Sequence, residues 1–453
     1  MENNREITST SFYARSSVKQ QHGTYQCSTS SQRYCYFLSK NKKTAMESYI
    51  KCVEKSIDNE ENQLRELGQE IWRNPELGRQ EFHAHTLLTS FLRERGFEVE
   101  EQFLAPTGFR ASFGASDQES GKLHVCFLCE YDALPELGHA SGRNLIAEAT
   151  VAAALGIKAV IETNSNGKRL GKVTVLGCPD QEGNGTKIDA INQDFFKDVD
   201  LALTVTPYSA NISKPIMLTI MRVTLLYQGK AAHASAQPWE GRNALDAAVL
   251  CYNNISVLRQ QLKPFMQIHG VISSGGVKPN IIPEKTEMKF YLRARDHLDM
   301  AFLQQRANAA FVAAAKATQC EIEFSFTDHP YSNLLSNNTL AEIYERQAKS
   351  QGIKFTTDCD KLSTPVGSSD AGNVSHVVPC IAPAFDIEGG VVNHTTEFTE
   401  AAGEVAAHCS TVRVAKALAM TAVEAMQDVS VMNKVKQDFM AVEGGSVGLT
   451  SWQ

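Results

Sequence analysis

The sequence predicts an α/β fold: a mostly parallel sheet covered by helices on both faces, with a smaller α+β unit inserted into it. Three observations predict this. Short apolar runs at Leu123–Leu128 (LHVCFL), Lys172–Leu176 (KVTVL) and Leu201–Val205 (LALTV) read as buried strands. Stretches with helical periodicity separate them, and that alternation gives parallel strands covered by helices. Between about Pro215 and Asp328 the order changes to strand, helix, strand, strand, helix, strand, which is the ferredoxin-like order.

In chain order, residues 1–45 are rich in Ser, Thr, Tyr, Gln and Lys without periodicity, and read as a disordered N-terminal extension. The segment shares Arg, Lys and Ser enrichment with transit peptides, but Glu2, Glu6 and the lack of an amphipathic helix argue against one. From Met46 apolar residues recur at helical spacing (Ile50, Val53, Ile57, Leu64, Leu67, Ile71) until Asn74-Pro75. A second helix over about Gln80–Arg95 ends at Gly96, a natural residue just past a helix. Its His83 and His85 are two apart and do not share a helical face. Strands follow near Phe97–Val99 and Phe109–Phe113, then LHVCFL and a helix over about Asn144–Ile161. The insert reads as strand Leu218–Tyr227, helix Ala244–Leu262, strands Gln267–Ile272 and Glu287–Arg295, helix Met300–Ala317 and strand Glu321–Phe326. The expected division is 46–214 with 329–430 for the α/β domain, 215–328 for the insert, and 431–453 as a tail.

Composition narrows the function classes. Hydrophobic residues make up 43% and charged residues 21% of the 453, as in ordinary globular proteins. A net charge of -7 without a basic cluster argues against nucleic acid as a partner. The sequence shows no apolar run of about 18 residues, so no membrane span is expected. The 11 cysteines are scattered and odd in number, and no secretory signal is evident, so the expected location is cytoplasmic. Cys126 and Cys129 have C-x-x-C spacing, but a strand would turn them to opposite faces.

The chemistry is expected around Glu130–Glu148, EYDALPELGHASGRNLIAE. It follows a buried strand and leads into a helix, at the edge where open α/β sheets place ligands. This stretch resembles the zinc-dependent amidohydrolases and dipeptidases related to aminoacylase-1, the M20 peptidases. The likeness extends over residues 46–426. FLCEYDALP, PWEGRNALDAAVL, VKPNIIP and NHTTEFTEAAG point to the branch of Xaa-Arg, or β-alanyl-lysine, dipeptidases. The resemblance implies a metallopeptidase-type domain, a lid that pairs protomers into a homodimer, and a small dipeptide or N-acyl-amino-acid ligand.

It also implies a site with two zinc ions, five ligand positions and a glutamate as general base. Here the general-base position holds Gln181. Three ligand positions are substituted, by Ser141, Arg143 and Thr206, and two retain a ligand, Glu182 and His394. An amide cannot take a proton from water, which removes a contribution of ~10²–10⁴-fold. A lone Glu and His do not complete tetrahedral zinc, and Arg143 would set a positive charge beside any ion recruited through Asp132 or His139. The substrate side implied by the resemblance is retained in His233, Asn280, Arg293 and Asp370. The expectation is therefore a catalytically impaired homologue that needs no cofactor, with zinc only if hydrolysis persists. The alternative is an active metallo-dipeptidase acting on basic C-terminal residues. Arg143 is expected within hydrogen-bonding distance of Glu182, or of Asp132 as second choice, as the cation that takes the place of the metal.

Overall fold

Apolar periodicity sets the first layer. In a computed structural model, which describes residues 45–115, 122–163 and 170–446, helices α1 (45–59) and α2 (Glu61–Arg73) bury the expected stripe of Val53, Ile57, Leu64, Leu67 and Ile71. The expected N-terminal extension lies outside the described residues except for its last position. Helix α3 (Phe82–Glu94) precedes Gly96, whose φ of 80° lies in the left-handed region that glycine enters freely.

Strands β1 (Glu98–Glu101), β2 (Phe109–Gly114) and β3 (Leu123–Cys129) lead to helix α4 (Arg143–Thr163), strand β4 (Leu170–Gly177), helix α5 (Thr186–Asn192) and strands β5 (Leu201–Leu203) and β6 (Thr206–Tyr208). The insert comprises β7 (Thr219–Gln228), α6 (Ala244–Leu258), β8 (Gln267–Ser274), β9 (Lys285–Ala294), α7 (His297–Thr318) and β10 (Glu321–Phe326). The chain returns through α8 (Asn338–Ser350), α9 (Cys359–Ser363), α10 (Ala371–Ser375), β11 (Cys380–Ile381), β12 (Ala384–Asp386), α11 (Thr396–Ala402), α12 (Val405–Gln427) and α13 (Val429–Ser446).

The first sheet has the order β1-β2-β4-β3-β5-β11. Strands β4, β3, β5 and β11 are parallel neighbours, while β1 and β2 form an antiparallel edge. Strand β3 is buried throughout, as a central strand covered on both faces must be. From β3 the chain crosses to β4 on one side, and the next crossover returns to β5 on the other. The carboxyl end of β3 is thus a topological switch point, where such sheets open a crevice.

The second sheet is antiparallel with order β10-β7-β9-β8. Its strands alternate. Met221, Val223, Leu225 and Tyr227 of β7 and Met288, Phe290 and Leu292 of β9 point into a separate core with α6 and α7. Fully burying one side chain such as Phe290 or Phe311 contributes about 1.5–3 kcal/mol. Strand β6 pairs with β12 in a small parallel sheet of its own.

Three expectations need correction. Residues 431–446 are not tail: they belong to α13, which buries Met432 and Val435, while Asn337 Nδ2 donates to the Val435 carbonyl at 2.8 Å. Helix α4 is long and apolar enough to cross a membrane, so the expectation of no such run was wrong. Most of it is buried inside the protein, where it packs on α2, α12 and the first sheet. The helix expected over Ala244–Leu262 ends at Leu258 and tightens into one 3₁₀ turn, Arg259–Gln261. Cys126 and Cys129 are both free and buried in β3, and burial pushes Cys129 up to about 12.

Candidate active site

The residues from Glu130 to Arg143 leave the carboxyl end of β3 and re-enter structure at the first residue of α4. The turn depends on Gly142. Its φ is 68°, and a Cβ there would lie 2.7 Å from Pro207 Cβ, so the Ser-Gly-Arg step passes under the β6 strand only with glycine. Arg143, with 6% of its surface exposed, is turned inward by that step.

The Arg143 guanidinium is the hub of the site. Its Nη1 donates to Glu182 Oε1 at 2.6 Å, and its Nη2 donates to Gln181 Oε1. Its Nε lies 3.3 Å from Asp132 Oδ1 and 3.4 Å from Glu130 Oε2. Both expected partners, Glu182 and Asp132, are therefore present. Ser141 Oγ donates to the same Glu182 oxygen at 2.7 Å, and the Glu182 amide donates to Asp132 Oδ2 at 2.9 Å. Gln181 and Glu182 are held here by a strained corner. Asp180 has φ 61° and accepts from Arg79 Nε at 2.8 Å, while its own amide donates to Glu81.

The electrostatics follow from this packing. Burial, the largest influence on Glu182, would raise its pKa; the Arg143 charge, the Ser141 and Arg143 hydrogen bonds and His394 outweigh it and hold the carboxyl near 2. Burial pushes Asp132 up to about 7 against the pull of Arg143. The two carboxylates therefore act oppositely on stability. What Glu182 contributes is present above its ordinary 4.5 and lost as pH falls through about 2. What Asp132 contributes is present below 3.8 and lost as pH rises through about 7.

Behind this cluster lies a second cation that sequence reasoning missed. Lys187, in the first turn of α5, is fully buried; its Nζ donates to Asp370 Oδ1 at 2.6 Å and lies 2.8 Å from Glu130 Oε1. Burial opposes its charge, but the Asp370 and Glu130 carboxylates overcome that and raise its pKa well above the ordinary value. Glu130 thus joins Lys187 to Arg143. The site therefore holds two cations, Arg143 and Lys187, among Glu130, Asp132, Glu182 and Asp370.

A cleft of about 900 Å³ opens above, between the two sheets. Ser141, Arg143, Gln181, Glu182, Thr206, Arg293 and His394 all line it. Arg293 reaches it from β9 and donates to Ser368 Oγ at 2.8 Å. His394 is exposed at the rim with φ 65°, and its Nε2 lies 3.9 Å from Glu182 Oε1. Asp370 does not meet the cleft; it is wholly buried on Lys187, a correction to its expected substrate contact. His233 and Asn280 also lie elsewhere, exposed and adjacent: the Ala234 amide donates to the Asn280 carbonyl at 3.1 Å. His139 is committed to the Ile71 carbonyl at 3.0 Å, and burial lowers it to about 4.

These side chains do not fit the two zinc ions that the resemblance implies. A permanent cation occupies the bonding directions of the Glu182 oxygen and of Gln181. Ser141 spends its hydroxyl on Glu182, and Thr206 belongs to a strand paired with Ala384. Glu182 and His394 are the zinc-type donors left at those positions, short of a tetrahedral set.

Residues 219–319 match the Peptidase dimerisation domain family. The chain is 44% identical to the Xaa-Arg dipeptidase of Mus musculus over 84% of this chain and 90% of that one. A putative aminohydrolase from methicillin-resistant Staphylococcus aureus superposes with a TM-score of 0.61 at 19% identity, covering 81% and 99% of the two chains. A dinuclear metal-binding peptidase of the M20 family from Bacillus subtilis does so with a TM-score of 0.57 at 16% identity, covering 80% and 99%. The chain belongs to the M20 peptidase family, among whose members it is similar to the Xaa-Arg dipeptidases.

Proposed function

We propose that this protein is a catalytically impaired M20 peptidase whose cleft binds a dipeptide or N-acyl-amino-acid ligand without hydrolysing it. The observation that carries this reading is the Arg143 guanidinium bonded at once to Glu182 and Gln181. Hydrolysis of an amide needs a water, a base to deprotonate it and an electrophile to polarise the carbonyl. Gln181 cannot be the base, and its side-chain oxygen accepts from Arg143. The purified protein, supplied with zinc, is expected to show no turnover of β-alanyl-lysine. Turnover abolished by a chelator would instead support an active metallo-dipeptidase for basic C-terminal residues, the reading favoured by likeness to the mouse dipeptidase.

The same reading includes a homodimer through the insert. Strand β8 is an edge of the four-stranded sheet and carries exposed Val271 and Ile272, with Val277 and Ile281 beyond it. An apolar, unpaired strand edge is liable to pair with another copy, and a two-fold axis closes such an assembly. His233 and Asn280 stand at this end of the insert, so a partner's cleft is where they would act. Light scattering at micromolar concentration is expected to give the mass of two chains; the mass of one would contradict this.

A further inference from the structure

The roof of the cleft carries charge that the Arg143 cluster does not use. In the β7–β9 ladder Arg222 is opposite Tyr291 and Ile220 is opposite Arg293; β8 adds His269 opposite Tyr291. Residues two apart on paired strands share a face, so these five form one surface, and all of them line the cleft. The opposite face is the apolar core of the insert. Arg222 and Arg293 are diagonal neighbours in the ladder, a spacing of about 7–8 Å.

Neither arginine has a carboxylate within ion-pairing distance among the described residues. Arg293 donates to His269 Nε2 at 3.2 Å and to Ser368 Oγ at 2.8 Å. Arg222 donates to the Glu182 main-chain carbonyl at 3.2 Å and lies over the Tyr331 ring at 5.0 Å and the Tyr291 ring at 5.7 Å. The carboxylate that acts on Arg293 is Glu182, a smaller influence than burial, and Arg143 and Ser141 already bond its Oε1. The cleft's acidic side chains have cations of their own: Glu130 has Lys187, Asp180 has Arg79 and Glu182 has Arg143. Burial, with the Arg222 charge adding to it, lowers the pKa of Arg293. Two guanidinium groups therefore face one space with no counter-charge, an arrangement that a pair of anionic groups relieves.

We propose that the cleft selects a ligand with two carboxylates, an N-acyl or dipeptidyl form of an acidic amino acid, held by Arg293 at one carboxylate and Arg222 at the other. This rests on the reading of the cleft as a ligand site and names the ligand's class. The lid arginine of the resemblance accounts for one carboxylate; Arg222 adds the second.

Calorimetric titration with N-acetyl-L-glutamate, N-acetyl-L-glutamine and N-acetyl-L-lysine tests it. The glutamate ligand is expected to bind about ten- to a hundredfold more tightly than its neutral glutamine counterpart, and the lysine ligand more weakly than either. Arg222→Gln is expected to collapse the glutamate–glutamine difference, Arg222→Lys to retain part of it, and Arg293→Gln to weaken both ligands. Equal binding of glutamate and glutamine, preference for lysine, or no heat from any of the three at millimolar concentration would overturn the proposal. The ligand comparison needs no variant, so a misfolded Arg222→Gln leaves the test intact. Acetate release is followed in the same samples. Its appearance with the glutamate preference intact would overturn the non-hydrolytic reading and leave this one standing; equal binding without acetate would do the reverse.

Discussion

Lys187→Met is expected to lower the unfolding free energy by about 3–5 kcal/mol, the loss seen when one partner of a buried ion pair is removed. The side chain is fully buried and bonds two carboxylates, Asp370 at 2.6 Å and Glu130 at 2.8 Å. Methionine matches its length but leaves Asp370 without a cation and Glu130 with Arg143 alone, so the freed acid must take up a proton or admit water. The loss also has a geometric side. Lys187 joins the start of α5, the end of β3 and the Asp370 loop, and that loop carries Ser368, to which Gln181 Nε2 donates at 3.4 Å. Urea unfolding measures the loss, with the slope unchanged if the two folded states are alike. Lys187→Met/Asp370→Asn is expected to lose less than the two single variants summed, because the double variant removes the orphaned charge. A loss below about 1 kcal/mol would show that the network is not ionised as described.

Arg143→His is the second large effect. It restores one ligand type of the family's metal site, and a site awaiting its metal would gain zinc from it. The geometry leads to the opposite expectation. Histidine is neutral at pH 7 for much of its population and cannot reach Glu182, Gln181, Asp132 and Glu130 together as the guanidinium does. The variant is expected to lose about 3–5 kcal/mol at pH 7.5 and to take up no stoichiometric zinc. The loss is expected to shrink toward pH 5, where the imidazole charges and Asp132, already raised to about 7, is protonated. Arg143→Lys keeps the charge but not the fork and is expected to fall between the two. A wild-type melting profile for Arg143→His, or zinc that co-purifies with it, would contradict this.

Much of this site was legible in the sequence because its chemistry is local. Ser141 and Arg143 lie within one segment, Gln181 and Glu182 are adjacent, and both segments follow apolar runs that had to be strands. Burial of a guanidinium beside a carboxylate then followed from charge alone. The missing parts have physical reasons. Lys187 and Asp370 are 183 positions apart, and a lysine in the first turn of a helix reads as surface, since lysine is almost never fully buried unless paired. Arg222 alternates with Met221 and Val223, so its face was readable; what that face looks at depends on how the insert closes over the first sheet. Motif likeness points to His233 and Asn280 but says nothing of their distance from the cleft. Helix α13 leaves a short signal in the sequence: Met432 and Val435, three apart and both buried, carry its periodicity.

Metal analysis of the purified chain separates a site in which Arg143 takes the place of the metal from one that holds zinc. Protein prepared without chelators and dialysed against zinc is expected to retain well under one equivalent per chain by plasma mass spectrometry, since Glu182 is already bonded to Arg143. One or two equivalents of zinc that survive dialysis, with Arg143 displaced from Glu182 in a crystal structure of that sample, would contradict the account.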